Sequence, residues 1–560
     1  MKCRTRCGTL VNKLWICYLL LGWMTFSEAA AAAPEIGNLS LRGLQTGATT
    51  TLTIDGSDLL PEPRVILPVA IARQSVKPGA AANRVQIEIA LPAEVSPGLY
   101  HLRVANAQGI SRAVVIGIDH LAQMPFASPV AKLPAALHGN LGYGATLQTS
   151  FAGKKGQRMV VDLEARRLGA AFDPIIELYD PQRVQVAYAQ GSPTLNGDAR
   201  IDAILPADGQ YTVDLHDVLY QGGEPNFFRL KIGSLSYADL VFPLGGQRHT
   251  ESSFEPIGNP AIKNSTLKIA LRSAAIDVPA PLPAEMIGPA PRVFVGDFTE
   301  TVKNSPAGKL QEVTAPAVIN GRIEKPHSED RYRLLVKPGM NLRFDVMANR
   351  AGSPLDGVLS IRNEAGVELA MSDDRPDTVD PGLDFAVPAG VNALVVVLKD
   401  LEGRGGQNFL YRLSVTPADR PDFALTLLED RLALPQGGAG LVRVRVNRVG
   451  FNGPIKLSVP GLPLGAMLSG DEIPSGATDA LLTFSSKSGL APAQVLTTVI
   501  GESTSQKERL HRLAMLPETS VTRFQPWLRS ELAVAMTEPN PIRIAWESNE
   551  TSLALGSTFP

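Results

Sequence analysis

Cysteine is the residue type that this sequence most nearly lacks. Its 560 residues include three cysteines, Cys3, Cys7 and Cys17, all close to the amino terminus. If that segment is removed on export, as argued below, no thiol remains for catalysis, for a disulfide or for a cysteine-based metal site. The folded chain must then depend on buried apolar surface for its stability.

Aromatic residues and long apolar runs are scarce as well. Phe, Trp and Tyr make up 6% of the chain, and the sustained apolar run is Leu14 to Phe26. Four basic residues precede this run and the small residues Ala29 to Ala33 follow it, an order typical of a secretory signal peptide. The alternative is an N-terminal membrane anchor, but the run is shorter than the ~20 residues that a spanning helix needs. We therefore predict a secreted, periplasmic or cell-surface protein whose mature chain has no transmembrane segment.

The chain also lacks a strong charge of one sign. Without residues 1–33 it would carry 49 basic and 54 acidic side chains, a net charge near −5. Binding to a phosphate backbone requires clustered positive charge. No nucleic-acid partner is therefore predicted.

An internal repeat is the main feature that is present. The stretch from about His138 to Ile232 recurs from about Ile319 to Val415, with most positions shifted by 183 residues. Glycines, prolines and alternating apolar residues are shared between the copies, whereas the polar positions differ. This pattern indicates a shared fold without a shared catalytic set.

Each copy alternates apolar and polar residues with a period of two. The alternating residues are Met159, Val161, Leu163, Ile176, Leu178, Tyr211, Val213 and Leu215 in the first copy, and Leu342, Phe344, Val346, Val358, Leu359 and Ile361 in the second. Alternation of this kind places one row of side chains on the buried face of a strand. We predict an all-β fold, a tandem array of jelly-roll-like and immunoglobulin-like β-sandwich domains after the signal peptide.

Three family resemblances accompany this pattern. The run Glu164 to Pro174, with Leu205 to Asp217 and Phe227-Phe228-Arg229-Leu230, resembles the bacterial pre-peptidase C-terminal (PPC) domain, and so does the second copy. Thr51 to Leu59 with Pro97 to Val104 resembles the IPT/TIG immunoglobulin-like domain. A later stretch that includes Leu441 to Val446 looks like bacterial immunoglobulin-like repeats. The PPC resemblance implies a non-catalytic module that accompanies secreted proteases and serves processing, adhesion or substrate binding.

These observations divide the chain into seven segments. They are a signal peptide at 1–33, an IPT/TIG-like domain at 34–120, a first PPC-like sandwich at 128–235, a reduced immunoglobulin-like unit with a Pro-rich spacer at 237–300, a second PPC-like sandwich at 303–417, a bacterial immunoglobulin-like domain at 420–520, and an incomplete module or tail at 521–560.

No catalytic set is recognisable in the sequence. There is no Gly-x-Ser-x-Gly elbow and no pair of histidines one helical turn apart with a glutamate between them. His249-Thr250-Glu251 lacks the second histidine of a zinc site. His216 precedes Asp217 in the first copy, but its counterpart is Lys399, so we interpret it as a solvated strand residue. The chain is predicted not to be an enzyme.

A calcium site is the one cofactor hypothesis that the sequence supports. Carboxylates gather in the second copy at Asp373, Asp374, Asp377, Asp380 and Asp384, and calcium requires six to eight oxygen ligands. In the first copy only Asp198 and Asp202 match, as counterparts of Asp380 and Asp384. The alternative is that these aspartates bond to the backbone of their own turns.

The predicted function is binding, spacing or adhesion through an extracellular protein or polysaccharide. An accessory role beside a secreted protease is the first alternative, and an array of carbohydrate-binding modules is the second. Sugars stack on exposed aromatic rings, and the candidates for such a platform are Tyr220 and Trp527, with Trp546 in the tail. Phe228, which aligns with Tyr411, is instead predicted to lie in the core.

Overall fold

The fold is known from a computed structural model that describes residues 32–259, 266–272, 274–304, 310–503 and 510–540. In these ranges the regular elements are β-strands and short 3₁₀ turns, so the all-β prediction is confirmed. No helix within them is long and apolar enough to cross a membrane. Most of the predicted signal peptide and Trp546 lie outside the described residues.

The strands fall into five consecutive domains. The first contains β1 (Glu35–Leu39), β2 (Gly43–Gln45), β3 (Thr49–Ser57), β4 (Arg64–Ile66), β5 (Arg73–Val76), β6 (Arg84–Ala90), β7 (Gly98–Asn106), β8 (Gly109–Ile110) and β9 (Val114–Asp119). The second, which is the first sandwich repeat, contains β10 (Ala122–Pro125), β11 (Ala135–Asn140), β12 (Thr146–Gly153), β13 (Arg158–Glu164), β14 (Pro174–Tyr179), β15 (Gln185–Gln190), β16 (Arg200–Ile204), β17 (Gly209–Asp217) and β18 (Phe227–Gly233). The third contains β19 (Ser236–Phe242), β20 (Gly245–Gln247), β21 (Glu251–Gly258), β22 (Leu267–Ala270), β23 (Asp277–Pro279), β24 (Met286–Ile287) and β25 (Arg292–Gly296).

The remaining strands complete the chain. The fourth domain, which is the second sandwich repeat, contains β26 (Glu300–Val302), β27 (Gln311–Thr314), β28 (Ala317–Arg322), β29 (Glu329–Leu335), β30 (Asn341–Met347), β31 (Gly357–Arg362), β32 (Glu368–Ser372), β33 (Gly382–Ala386), β34 (Ala393–Asp400) and β35 (Leu410–Pro417). The fifth contains β36 (Asp422–Leu427), β37 (Arg431–Pro435), β38 (Ala439–Val449), β39 (Ile455–Ser458), β40 (Ala466–Ser469), β41 (Glu472–Ile473), β42 (Asp479–Ser486), β43 (Ala493–Thr497), β44 (Ile500–Ser503), β45 (His511–Met515) and β46 (Leu532–Thr537). Short 3₁₀ turns lie at Arg166–Leu168, Pro193–Leu195, Asn349–Ala351 and Pro526–Ser530.

Each domain consists of two sheets around its own apolar core. In the first repeat the strand orders are β10-β11-β18-β13-β16 and β12-β17-β14-β15; in the second they are β26-β28-β35-β30-β33 and β27-β29-β34-β31-β32. The alternating residues predicted for the first repeat all lie in its core. Those of the second repeat do so too, except Val358, which is buried outside that core.

The third domain departs from its predicted outline. The stretch expected to be a proline-rich spacer is part of the sandwich, because β24 pairs in parallel with β19. Leu282 and Met286 are buried there together with Ala238. Prolines fit such a position because a short edge strand forms few ladder hydrogen bonds.

Strand β46, which lies in the segment assigned to an incomplete module or tail, packs into the fifth domain. Strand β46 lies between β37 and β43 at the centre of a three-stranded sheet in the fifth domain. All six of its residues are buried. Leu532 and Val534 join the core of the fifth domain, while Ala533 and Ala535 pack on Ala105 and Ile110 of the first. An apolar run buried on both faces explains why the strand shows no alternation.

The five domains form a closed arrangement, because the fifth domain contacts the first. Arg103 in β7 lies 2.9 Å from Asp430, and Arg431 lies 2.6 Å from Glu35. Residues 516–531, which we call the cross-segment, run between β45 and β46. The cross-segment reaches the first repeat where Asn196 Nδ2 donates to the Ser520 carbonyl at 2.7 Å.

The first two domains and the next two follow one plan. Strand β2 pairs in parallel with β9 in the first domain, and β20 pairs in parallel with β25 in the third. In each case a sandwich repeat follows. The structure therefore contains a two-domain unit twice, although the sequence comparison detected only its second half.

We predict that a chain ending at residue 520 loses the fifth domain. Removing β46 exposes the core face of β37 and β43 and the alanine contact with the first domain. Calorimetry should show that the melting transition of this domain is lost, whereas a chain ending at residue 540 melts like the full chain. Identical melting of the two truncated chains would contradict the central position of β46.

Candidate binding surface

Both repeats contain the same turn, organised by one buried aspartate. Asp198 accepts hydrogen bonds from the backbone N–H groups of residues 165–167 at 3.0, 2.7 and 3.1 Å, and from Arg167 Nε at 2.7 Å. Asp380 accepts the matching bonds from residues 348–350 at 3.1, 2.6 and 3.0 Å, and from Arg350 Nε at 2.8 Å. Each carboxylate thus ties a 3₁₀ turn to the loop before the next strand.

The second pair of matching aspartates binds arginine. Asp202 lies against Arg158 at 2.6 and 2.5 Å, and Asp384 lies against Arg343 at 2.8 Å through both oxygens. Such two-bond pairs use the planar guanidinium and both carboxylate oxygens. The counterparts identified in the sequence therefore perform equal structural roles in both copies.

The structure does not bring the five candidate calcium ligands together. Asp380 and Asp384 are engaged as described, and Asp373 accepts a bond from the N–H of Asp374. In the ranges that the structure describes, no three His, Cys, Asp or Glu side chains are grouped so that they could hold a metal ion. Asp373 accepts a bond within its own turn, as the alternative from the sequence proposed, whereas Asp380 bonds a remote turn and Asp384 pairs with an arginine.

A buried ionic cluster joins the first repeat to the domain before it. Arg229 lies 2.8 Å from Asp119 at the end of β9 and 2.8 Å from Glu164. Lys231 Nζ lies 2.7 Å from Glu164 and 2.6 Å from Asp162. Burial opposes the ionisation of Glu164, but Lys231 and Arg229 outweigh it and lower the pKa to about 2. These charged side chains pair with one another, and the cluster holds the first repeat against the first domain.

The second unit has an arginine at the matching position, but the ion pair of this arginine lies within the fourth domain. Arg412, the counterpart of Arg229, lies 2.5 Å from Glu300 in β26. A Cβ atom on Gly43 or Gly117 would meet the guanidinium of Arg229, and one on Gly245 or Gly296 would meet that of Arg412. Glycine is needed at these positions so that the arginine can lie flat against the preceding domain.

The first repeat exposes apolar side chains at one end. Tyr143, Leu219, Tyr220 and Val218 are 86%, 68%, 47% and 43% exposed, and they lie on the β11–β12 and β17–β18 loops. These loops adjoin, because Gly144 N–H donates to the Tyr220 carbonyl at 2.8 Å. We call these four residues the apex patch. Contiguous exposed apolar residues of this kind often mark interaction sites.

A carboxylate holds the apex patch in shape. Asp217 accepts hydrogen bonds from the N–H groups of Asp173, Leu219 and Gln221 at 2.9, 3.2 and 3.0 Å. Burial opposes the ionisation of Asp217, but these backbone donors outweigh it and lower its pKa. Asp400 receives the corresponding bonds in the second repeat, including one from Asp356 N–H at 3.1 Å. The loop scaffold is therefore shared, and only the presented side chains differ.

Tyr220 has an unusual backbone conformation and a stacked ring. Its φ angle is +54°, in the left-handed region that favours glycine. Its ring stacks on His216, with the centroids 4.5 Å apart and the planes 1° from parallel. His216 is thus buried, which corrects the prediction of a solvated residue. It packs there because the tyrosine covers it.

A cleft of about 540 Å³ borders the apex patch. It lies between the two repeats and the cross-segment, and Val218 belongs to both the cleft and the patch. Polar side chains line most of it, among them Arg166, Gln190 and Asn349, with Phe524 as an aromatic member. Arg166 Nη1 lies 2.5 Å from Asp173, so the rim carries an ion pair that offers donors and acceptors together.

The other aromatic candidates have different positions. Phe228 is fully buried in the core, as predicted. Trp527 is half-buried in the last 3₁₀ turn, and Phe227 lies under Arg42, whose guanidinium carbon is 3.5 Å from the ring centre.

Of the apex patch, the sequence analysis identified Tyr220 as a candidate but did not identify Tyr143 or Leu219. Aligning the loops by the shared shift of 183 would have shown Val-Leu-Tyr opposite Leu-Glu-Gly.

We predict that Arg229→Ala destabilises the chain by about 3–5 kcal/mol, because it leaves Asp119 buried without its cation and leaves Glu164 with Lys231 alone. Urea unfolding measures the loss. The matched control is Arg343→Ala, which breaks a half-exposed pair and should cost about 1 kcal/mol or less. Equal effects of the two changes would contradict a buried joint.

We predict that Asp380→Asn lowers the stability of the fourth domain by about 1–3 kcal/mol, because a buried turn loses part of its acceptor. Asp373→Asn, at an exposed position, should change little. The melting temperature of each protein, whether the unchanged chain or one of the two variants, should be the same in calcium as in chelator. A calcium-dependent rise that Asp380→Asn abolishes would instead support the calcium hypothesis.

Comparison with known proteins shows similarity of parts. No protein-family model and no curated protein matches the chain. The pre-peptidase C-terminal domain of a Bacillus anthracis collagenase is 15% identical and covers 20% of this chain and 100% of that domain, with a TM-score of 0.17. An elastase-activated Escherichia coli alpha-2-macroglobulin is 10% identical and covers 90% of this chain and 53% of its own, with a TM-score of 0.14.

A DUF4785 family protein from Legionella pneumophila is a further structural match. It is 8% identical and covers 40% of this chain and 62% of its own, with a TM-score of 0.13. The present chain thus spans about half of the macroglobulin and less than two thirds of the Legionella protein. The chain is therefore a multi-domain β protein, and about one fifth of it is similar in structure to a PPC domain.

Proposed function

We propose that this chain is an exported, non-catalytic binding protein whose apex patch contacts an extracellular protein or polysaccharide. The observation that carries this proposal is the difference between the two repeats at one conserved scaffold. Where the first repeat presents Tyr143, Val218, Leu219 and Tyr220, the aligned positions of the second hold Pro326, Leu401, Glu402 and Gly403. The same Asp-centred loop therefore presents two tyrosines, a valine and a leucine in one copy, and a leucine without any aromatic residue in the other.

The closed arrangement of domains supports the proposal that the chain holds the apex patch in place for a ligand. Contacts between the fifth and first domains fix the ends of the described chain. Each repeat contacts the domain before it through an arginine, since Arg229 pairs with Asp119 and Arg412 packs on Gly245 and Gly296. A rigid support lowers the entropy that a binding loop loses on contact. Many other carboxylates and arginines of the repeats are committed to turns and joints, as described above.

Two assays with the chain lacking residues 1–33 test this proposal. The first is hydrolysis of casein and gelatin with and without calcium, for which we expect none. The second is retention on immobilised gelatin, casein, cellulose, chitin and alginate, for which we expect binding to at least one surface and its loss in Leu219→Asp. Leu401→Asp, at an exposed loop position of the second repeat, is the control and should bind normally.

Two results would overturn the proposal. Hydrolysis that a single substitution abolishes would make the chain an enzyme. Retention that is equal in Leu219→Asp and in the unchanged chain would place the binding surface elsewhere.

A further inference from the structure

Tyr220 is held in a conformation that its own side chain disfavours. Its φ is +54°, and the aligned residue Gly403 adopts +70° in the same loop. Glycine occupies this region without steric cost, whereas a residue with a Cβ atom is disfavoured there. The first repeat thus keeps a tyrosine where its sister copy has the unstrained residue. Residues in such conformations concentrate at binding and catalytic sites.

Tyr220 presents a flat apolar ring beside polar groups. One face of its ring is covered by His216, which fixes the orientation of the other. Tyr143, 86% exposed, stands on the adjoining loop. Two neighbouring tyrosines, each with an apolar ring and a hydroxyl, suit a ligand that combines apolar faces with hydrogen-bonding groups.

The adjoining cleft supplies the polar half of such a site. Its volume of about 540 Å³ is within the ordinary range for small-ligand sites. The Arg166–Asp173 pair, Gln190 and Asn349 place guanidinium, carboxylate and amide groups along its wall. Val218 connects this wall to the tyrosines. A purely apolar protein surface would offer no hydrogen bonds to these polar groups, whereas a hydroxyl-rich chain can bond to them.

We propose that the ligand is a polysaccharide, with one sugar ring stacked on Tyr220 near Tyr143 and the following units in the cleft. A pyranose ring has a C–H face for the aromatic ring and hydroxyls around its edge for the amide and charged groups. This inference rests on the proposed binding function and names the ligand class of the same surface. The second repeat, with Pro326 and Gly403 at the two tyrosine positions, is not part of the site.

The test is titration calorimetry of the mature chain with soluble oligosaccharides of cellulose, chitin and alginate. We expect at least one to bind, and Tyr220→Gly to weaken that binding tenfold or more. The same substitution relieves backbone strain, so its melting temperature should be equal to or above that of the unchanged chain. Tyr143→Ala should also weaken binding, while Leu401→Ala, the exposed control in the second repeat, should not.

The outcomes separate this inference from the proposed function. Failure of all three oligosaccharides to bind, or full binding by Tyr220→Gly, overturns the polysaccharide site. If immobilised gelatin or casein still retains the chain through Leu219, the binding function stands and the ligand is a protein. If nothing is retained through the apex patch, both fail.

Discussion

The structure depends on buried arginines that join each repeat to the domain before it. Arg229 lies between carboxylates of two domains, and Lys231 adds a second cation to the same cluster. Charges removed from water are tolerated only when every one has a partner at close range. A shift of one domain against the next would separate these partners, so the ion pairs set the domain geometry as well as the stability. The glycines beside Arg229 and Arg412 show that the backbone is adapted to the same requirement.

The contact between the fifth and first domains depends mainly on buried apolar surface. Strand β46 is buried on both faces, with one face in the core of the fifth domain and the other on alanine and isoleucine of the first. Small side chains permit this close approach of two domains, and removal of apolar area from water favours it. The ion pairs Arg103–Asp430 and Arg431–Glu35 then specify the register of the contact. The described residues, which include no cysteine, thus form this closed arrangement without a disulfide.

Comparison of the two repeats separates the side chains that belong to the fold from those that we propose to bind a ligand. Asp198 and Asp380, and Asp217 and Asp400, perform equal tasks in both copies. Side chains that are equivalent in this way belong to the fold. Tyr143 and Tyr220 have no equivalent, and Tyr220 also carries a backbone cost. A difference that costs stability on an otherwise shared scaffold is a better guide to a binding site than exposure alone.

The sequence alone determined the all-β class, the repeat and the core rows such as Met159, Val161 and Leu163, because alternation with period two is a local property of a strand. It also identified the matching aspartates, but not whether they bind calcium or their own turns, since that depends on which N–H groups and arginines surround each carboxylate. The burial of His216, the use of 279–291 inside the third domain and the central place of β46 were decided by tertiary structure. Strands β24 and β46 pair with strands that are remote in sequence, and His216 is covered by Tyr220 only in the backbone conformation that the folded loop imposes, so no local pattern records these placements.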